Sequence, residues 1–291
     1  MLKKEILQAY WRMTKPGIVM LVLVTTALGF YFADHGFHRV GLLAWTLLGT
    51  ALGCGGATAL NQYLERDADA LMKRTNRRPI VTGLIAPVKA LGFGLSLILT
   101  GLLILCWNVN LLTGFLCLLT CFLYIVVYTP MKRLSWLCTT IGAIPGALPP
   151  LGGWAAAANH LDPGAWILFL IIFTWQHPHF YAISWIYKED YRRAGFKMLP
   201  VVHADPKFTY SQITSFCFLL AGFALMPTLM KMAGKVYFWG AFLLGTAMLY
   251  TAFSFQANQS DSNARKILGA SILFLPLLLM LIIADSFSFS L

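Results

Sequence analysis

Nine apolar runs, each close to 20 residues long, divide this chain: 17–33, 42–61, 88–107, 111–128, 136–158, 165–187, 210–230, 237–256 and 267–284. A helix rises about 1.5 Å per residue, so runs of this length cross a hydrocarbon core about 30 Å thick. Inside lipid every backbone amide must be satisfied within its own segment, which selects helices. The pattern predicts an all-α integral membrane protein, a single bundle of nine transmembrane helices forming one polytopic domain over residues 1–291. Composition agrees. Of the residues, 58% are apolar and only 11% charged, and mean hydropathy is +0.70. A soluble enzyme carries about 25% charged residues, and a disordered chain needs low hydrophobicity. Both classes are excluded. The first run follows sixteen mostly polar or amphipathic residues and lacks an Ala-x-Ala exit, so it reads as a span and not as a cleaved signal.

The net charge of +11 has a topological explanation. Lys and Arg collect in cytoplasmic loops. With the N-terminus inside, nineteen of the twenty-two basic residues fall in inside segments, and only Arg39, Lys231 and Lys235 fall outside. Eight acids lie inside; Asp34, Asp162 and Asp285 lie outside. The whole positive excess is therefore cytoplasmic. Nucleic acid is not the expected partner, because long apolar runs do not build nucleic-acid binders; the lipid bilayer is. Residues 1–16 form a cytoplasmic N-terminal segment, either a short amphipathic helix on the inner leaflet or a basic anchor. The six cysteines all fall in apolar runs and form no Cys-x-x-Cys pair, so they read as small buried hydrophobes. Segments 62–87 and 188–209 are the long inside loops rich in both signs of charge. They are the expected active-site loops.

In the first loop region, Asn61, Glu65 and Asp69 recur every four residues. On a helix they drift by only about 40° per step and share one face. Asp67 points elsewhere on a regular helix. Stacked carboxylates repel unless a cation lies between them, and Mg²⁺ selects oxygen ligands and bridges to phosphates. Lys73, Arg74, Arg77 and Arg78 follow within a dozen residues, and guanidinium forks suit phosphate oxygens. Lys132 and Arg133 end the fourth run. The plain alternative is a solvated juxtamembrane loop. The sixth run carries Trp175-Gln176-His177-Pro178-His179-Phe180, followed by Glu189 and Asp190 near its cytosolic mouth. Ionisable residues within a span are functional candidates, although a histidine there also serves as a hydrogen-bonded core residue. Pro178 frees a carbonyl and can kink the helix. The fifth run is rich in Gly, Ala and Pro, which permits close helix approach.

With these motifs the sequence resembles the UbiA superfamily of intramembrane prenyltransferases, and within it the protohaem IX farnesyltransferase (haem O synthase) branch. The superfamily's Asn-x-x-x-Asp-x-x-x-Asp motif matches Asn61, Glu65 and Asp69, with Glu in the middle. The branch motif Met-x-Arg-Thr-x-x-Arg-Pro matches Met72, Arg74, Thr75, Arg78 and Pro79. Trp-Gln-x-Pro-His-Phe matches Trp175, Gln176, Pro178, His179 and Phe180. Asp190, Tyr191, Ala194, Gly195, Met198, Leu199 and Pro200 match a later segment. The match runs from Thr14-Lys15-Pro16 to Pro200. The superfamily's second Asp-x-x-x-Asp is absent as such; Glu189-Asp190 stands in its place.

The resemblance implies transfer of farnesyl from farnesyl diphosphate to a vinyl group of haem B, giving haem O for terminal oxidases. It implies Mg²⁺ as cofactor, with Asn61, Glu65 and Asp69 as metal ligands. Asn61, Glu65, Asp69, Glu189 and Asp190 would be catalytic. Lys73, Arg74, Arg77, Arg78, Lys132 and Arg133 would bind diphosphate, and His177 or His179 would bind haem. A haem A synthase or a terminal-oxidase assembly is the partner that would receive the product. The location would be the bacterial inner membrane, with the site facing the cytoplasm. The alternatives are a UbiA-type enzyme prenylating an aromatic quinone precursor, and a membrane transporter.

Overall fold

The structure is a computed structural model that describes residues 2–288. Residue 1 and residues 289–291 of the expected single domain lie outside it, as do the side chains of Leu2, Lys3, Ile283, Ser286, Phe287 and Ser288. All regular structure among the described residues is helical. In chain order the helices are α1 (Leu2–Met13), α2 (Pro16–Asp34), α3 (Val40–Leu71), α4 (Pro87–Asn108) and α5 (Leu111–Phe122). A π-helical turn (Leu123–Tyr128) leads straight into α6 (Thr129–Leu134). Then come α7 (Cys138–Ala158), α8 (Pro163–Ile186), α9 (Lys188–Arg193), α10 (Leu199–Val202), α11 (Pro206–Leu229), α12 (Lys235–Ala257) and α13 (Asp261–Ser288).

Several helices start where the sequence says they should. Proline stands in the first turn of α2, α4, α8 and α11; its missing N–H is one that a helix start leaves unpaired anyway. Asn110 caps α5 by accepting from the Thr113 amide at 2.8 Å.

Seven segments combine the length and apolar composition needed to cross a membrane: α2, α3, α4, the 111–131 stretch, α11, α12 and most of α13. The remaining two expected runs form α7 and α8, which fall outside that set. The reason is compositional. α7 is built from Gly, Ala and three internal prolines, and α8 carries Gln176, His177 and His179; most residues of both are buried. A helix shielded by protein does not need a strongly apolar surface. On the spans, apolar side chains such as Leu99, Leu103, Leu243, Leu273 and Met280 are exposed. A water-soluble fold avoids so broad an apolar exterior; here it is the surface for lipid. All six cysteines are free.

The chain forms two compact units. Unit 1 comprises Met1–Leu161 and Glu189–Phe196; unit 2 comprises Asp162–Lys188 and Lys197–Leu291. Within unit 1, α3 and α4 approach closely at glycines. A Cβ on Gly56 would meet the Gly94 carbonyl at 2.6 Å, and one on Gly101 would meet the Gly49 carbonyl at 2.6 Å. α2 and α7 approach closer still, Gly29 against Pro150 and Gly153 against Thr26. α1 packs Ala9 and Met13 against Ala59, Ile80 and Ile85, with Tyr10 at the edge. Its opposite face leaves Leu7 72% and Trp11 66% exposed, an amphipathic division that suits a bilayer surface. Within unit 2, Asp285 is buried and accepts from the Gly234 amide at the start of α12.

Candidate active site

α3 runs past the expected end of its apolar run and continues to Leu71. It therefore carries Asn61, Glu65 and Asp69 down one face, and all three are buried. Asp67 is on the other side, 79% exposed at its side chain and paired loosely with Arg66 at 3.8 Å. The chain then leaves the helix. The Thr75 hydroxyl folds back to donate to the Asp69 carbonyl at 3.0 Å, and this brings Arg78 onto the acidic face.

Each carboxylate meets one cation of the same unit. Arg78 contacts Asp69 Oδ2 at 2.5 Å. Lys132 Nζ donates to Glu65 Oε1 at 2.6 Å, with both side chains largely buried. The Lys132 ammonium also sits over the rings of Tyr128, 4.6 Å from its centroid, and Phe196, at 5.6 Å. Burial alone would lower its pKa; Tyr128, Glu65 and Tyr124 beside it hold it well above its ordinary value. The Tyr128 ring lies against Gly142, where a Cβ would meet it at 2.5 Å.

A third cation belongs to this cluster. Lys15 caps α2 in a left-handed conformation, φ 49°. Just before it, the Met13 carbonyl accepts from Thr58 Oγ1 at 3.2 Å and Gln62 Nε2 at 2.8 Å. The turn is thereby tied to α3, and Lys15 senses Arg78, Lys132, Glu65 and Asp69. Its pKa is pushed down to about 7, first by burial and then by the like charges of Arg78 and Lys132. Sequence reasoning counted Lys15 only as a topology charge. Its place in the Thr14-Lys15-Pro16 match was the one signal available.

The other expected residues are spread more widely. Asp190 is buried and accepts from Arg193 and, at 3.4 Å, from the Lys73 backbone amide. Arg74 donates to the Tyr191 hydroxyl at 3.2 Å and lies over its ring. α9 is thus fastened to the 72–80 loop. Glu189 is exposed and paired with Arg192 at 2.6 Å. The side chains of Lys73, Arg77 and Arg133 belong to exposed residues.

In unit 2 the two histidines have different surroundings. His177 is fully buried, its Nδ1 2.8 Å from the Phe173 carbonyl and its ring stacked 3.5 Å from that of Phe216. His179 is half-buried, stacked on Trp175, with Nδ1 2.9 Å from Ser271 Oγ. The Ser271 hydroxyl already donates to the Leu268 carbonyl, so His179 Nδ1 must be the donor. That tautomer presents Nε2 as an acceptor.

The acidic face suits a hard cation. Its donors are oxygens, and Asp69 Oδ1 is buried without a hydrogen-bond partner among the described residues. A buried carboxylate oxygen in that state calls for a positive charge. No group of three or more His, Cys, Asp or Glu side chains able to hold a metal ion occurs among the described residues; the other oxygen donor on this face is the Asn61 amide.

Residues 22–278 match the UbiA prenyltransferase family. The chain belongs to that family. Its relatives include protoheme IX farnesyltransferases of Solibacter usitatus, 42% identical over 95% of this chain and 98% of the relative, and of Salinibacter ruber, 41% identical over 96% and 98%. Solved structures share the fold at low identity. A digeranylgeranylglyceryl phosphate synthase matches with a TM-score of 0.82 and 15% identity, covering 97% of this chain and 99% of that one. A UbiA homologue from Archaeoglobus fulgidus, bound to DMAPP and Mg²⁺, matches with a TM-score of 0.68 and 19% identity, covering 94% and 98%. This UbiA-family chain is a multi-pass membrane prenyltransferase.

Proposed function

We propose that this UbiA-family enzyme transfers farnesyl from farnesyl diphosphate to a vinyl group of haem B, giving haem O, with the acidic face turned to the cytoplasm of a bacterial inner membrane. The observation that carries the diphosphate half is the pairing of Arg78 with Asp69 and of Lys132 with Glu65, charges that Lys15 also senses, beside an Asp69 oxygen with no hydrogen-bond partner among the described residues. The haem half rests on the full-length relatives named protoheme IX farnesyltransferase.

Asn61, Glu65 and Asp69 would hold Mg²⁺, which when bound neutralises the charge developing on the leaving diphosphate. The chain's own part is electrostatic and steric. Lys15, Arg78 and Lys132 stabilise the diphosphate as the C1–O bond breaks. Arg74, bonded to the Tyr191 hydroxyl, and the Lys73 backbone amide, bonded to Asp190, hold the 72–80 loop to α9. The allylic cation must be kept from water until the vinyl carbon attacks, which requires an apolar surround within the bundle. A water then adds to the porphyrin-stabilised cation and gives up one proton to solvent, leaving the hydroxyl of the new side chain. Within unit 2, His179 has the chemistry of a haem-orienting group, because its bond to Ser271 leaves Nε2 as an acceptor. A haem A synthase or terminal-oxidase assembly would take the product.

Membranes holding the protein are incubated with haem B, Mg²⁺ and farnesyl diphosphate, and the pigments are separated by chromatography. Haem O is the expected product. Its absence, with prenylation of an aromatic acid in a parallel incubation, would overturn the haem reading in favour of a quinone-precursor substrate.

A further inference from the structure

The π-helical turn between α5 and α6 ends at the acidic face, and its hydrogen bonds have a fixed polarity. The Tyr124 carbonyl accepts from the Thr129 amide, five residues on, and also from Thr129 Oγ1 at 2.8 Å. A carbonyl can only accept, so the single hydroxyl hydrogen of Thr129 is committed to it. Asn61 lies 3.1 Å from the same Oγ1. That oxygen has only lone pairs left to offer, so Asn61 must present its amide nitrogen. Its Oδ1 is then turned away from Thr129. Asn61 is 1% exposed and Thr129 6% exposed, so water does not compete for either group.

We propose that Thr129 is a positioning residue: with the Tyr124 carbonyl it fixes the amide of Asn61 so that Oδ1, and not the NH₂ group, serves as a cation ligand. An amide nitrogen cannot ligate a hard cation, so the reversed amide would remove a ligand from the set. The π turn supplies the carbonyl that polarises the relay, consistent with the concentration of such turns at functional positions. This inference rests on the proposed metal site at Asn61, Glu65 and Asp69.

The test uses purified full-length protein and Mn²⁺ as the probe, with bound ion measured by electron paramagnetic resonance in the absence of substrates. Thr129→Val keeps the side-chain shape and removes the hydroxyl. It should weaken Mn²⁺ binding about 10- to 100-fold, the range for groups that orient metal ligands. Thr129→Ser should bind as the parent does. In an Asn61→Asp background the two ligand oxygens are equivalent and need no orienting, so Thr129→Val should there change affinity little. Thr129→Ala carries the same comparison if the valine variant does not fold. Equal binding by parent and Thr129→Val would overturn the relay. So would an equal loss in both backgrounds, which marks a merely structural role. Absence of Mn²⁺ binding by the parent would instead overturn the metal site beneath it.

Discussion

Lys15 shows how a residue's neighbours decide its chemistry. An ammonium whose pKa falls to about 7 is charged below that pH and neutral above it. Binding of an anion beside it must therefore weaken as pH rises through 7. Affinity for inorganic pyrophosphate, measured by calorimetry between pH 6 and 9, should fall across this window in the parent. It should stay nearly flat in Lys15→Arg, whose guanidinium keeps its charge. Linkage gives the matching sign for stability. The folded state binds fewer protons than the unfolded state between about 7 and the ordinary lysine value, so this residue's penalty is full below pH 7 and lifts as pH rises. Lys132 differs because Glu65 compensates it. Lys132→Met leaves a buried carboxylate unpaired and should cost about 3–5 kcal/mol, read as a lowered unfolding temperature in detergent; Lys132→Met with Glu65→Met should recover much of it. The shared face of Asn61, Glu65 and Asp69, and the exclusion of Asp67, were legible because helical period is local. Lys15 was not, since it reaches residues 65–78 only through a left-handed turn tied to α3 by Thr58 and Gln62. Nor could spacing separate Lys132 from exposed Arg133, or buried Asp190 from exposed Glu189.

At the scale of the element, apolar length located the spans but not their ends. The apolar run of α3 ends near residue 61, and the four-residue spacing of Asn61, Glu65 and Asp69 predicts a helical face beyond it. α3 continues to Leu71 with Glu65, Ala68 and Asp69 buried, a burial that hydropathy does not report. The π turn was equally invisible, since no composition marks the one extra residue. Small residues were more telling. The Gly-rich fifth run became α7, whose Gly153 stands against the Thr26 carbonyl of α2. Gly153→Ala forces two backbones apart and should cost about 1–3 kcal/mol or more. Gly152→Ala has open space and should be nearly neutral. Thermal unfolding of the two variants in detergent, side by side, checks the contrast.

For the whole molecule, the asymmetry of charge predicts which end of the spans faces the cytoplasm. Asn76→Cys lies in the basic loop and Lys235→Cys at the start of α12, and both positions are exposed. A membrane-impermeant maleimide added to spheroplasts should label Lys235→Cys directly and Asn76→Cys only after lysis. The reverse result would overturn the cytoplasmic assignment of the site. The native thiols are buried or half-buried in helices and should contribute little background. The division into units carries a consequence for biogenesis. Glu189–Phe196 belongs to unit 1, although the residues on either side of it belong to unit 2. A nascent chain therefore holds Asn61, Glu65, Asp69 and Lys132 long before it holds Asp190 and Tyr191, the two anchors of the 72–80 loop. Until translation has passed α8 and reached Phe196, that loop is held only by its own contacts to α3 and α1, Arg78 and Thr75 on Asp69 and Ile80 against Ala9, Met13 and Ala59. The order of synthesis thus delays completion of unit 1 until two-thirds of the protein is made, so an unfinished chain carries the acidic face before α9 is there to hold the 72–80 loop.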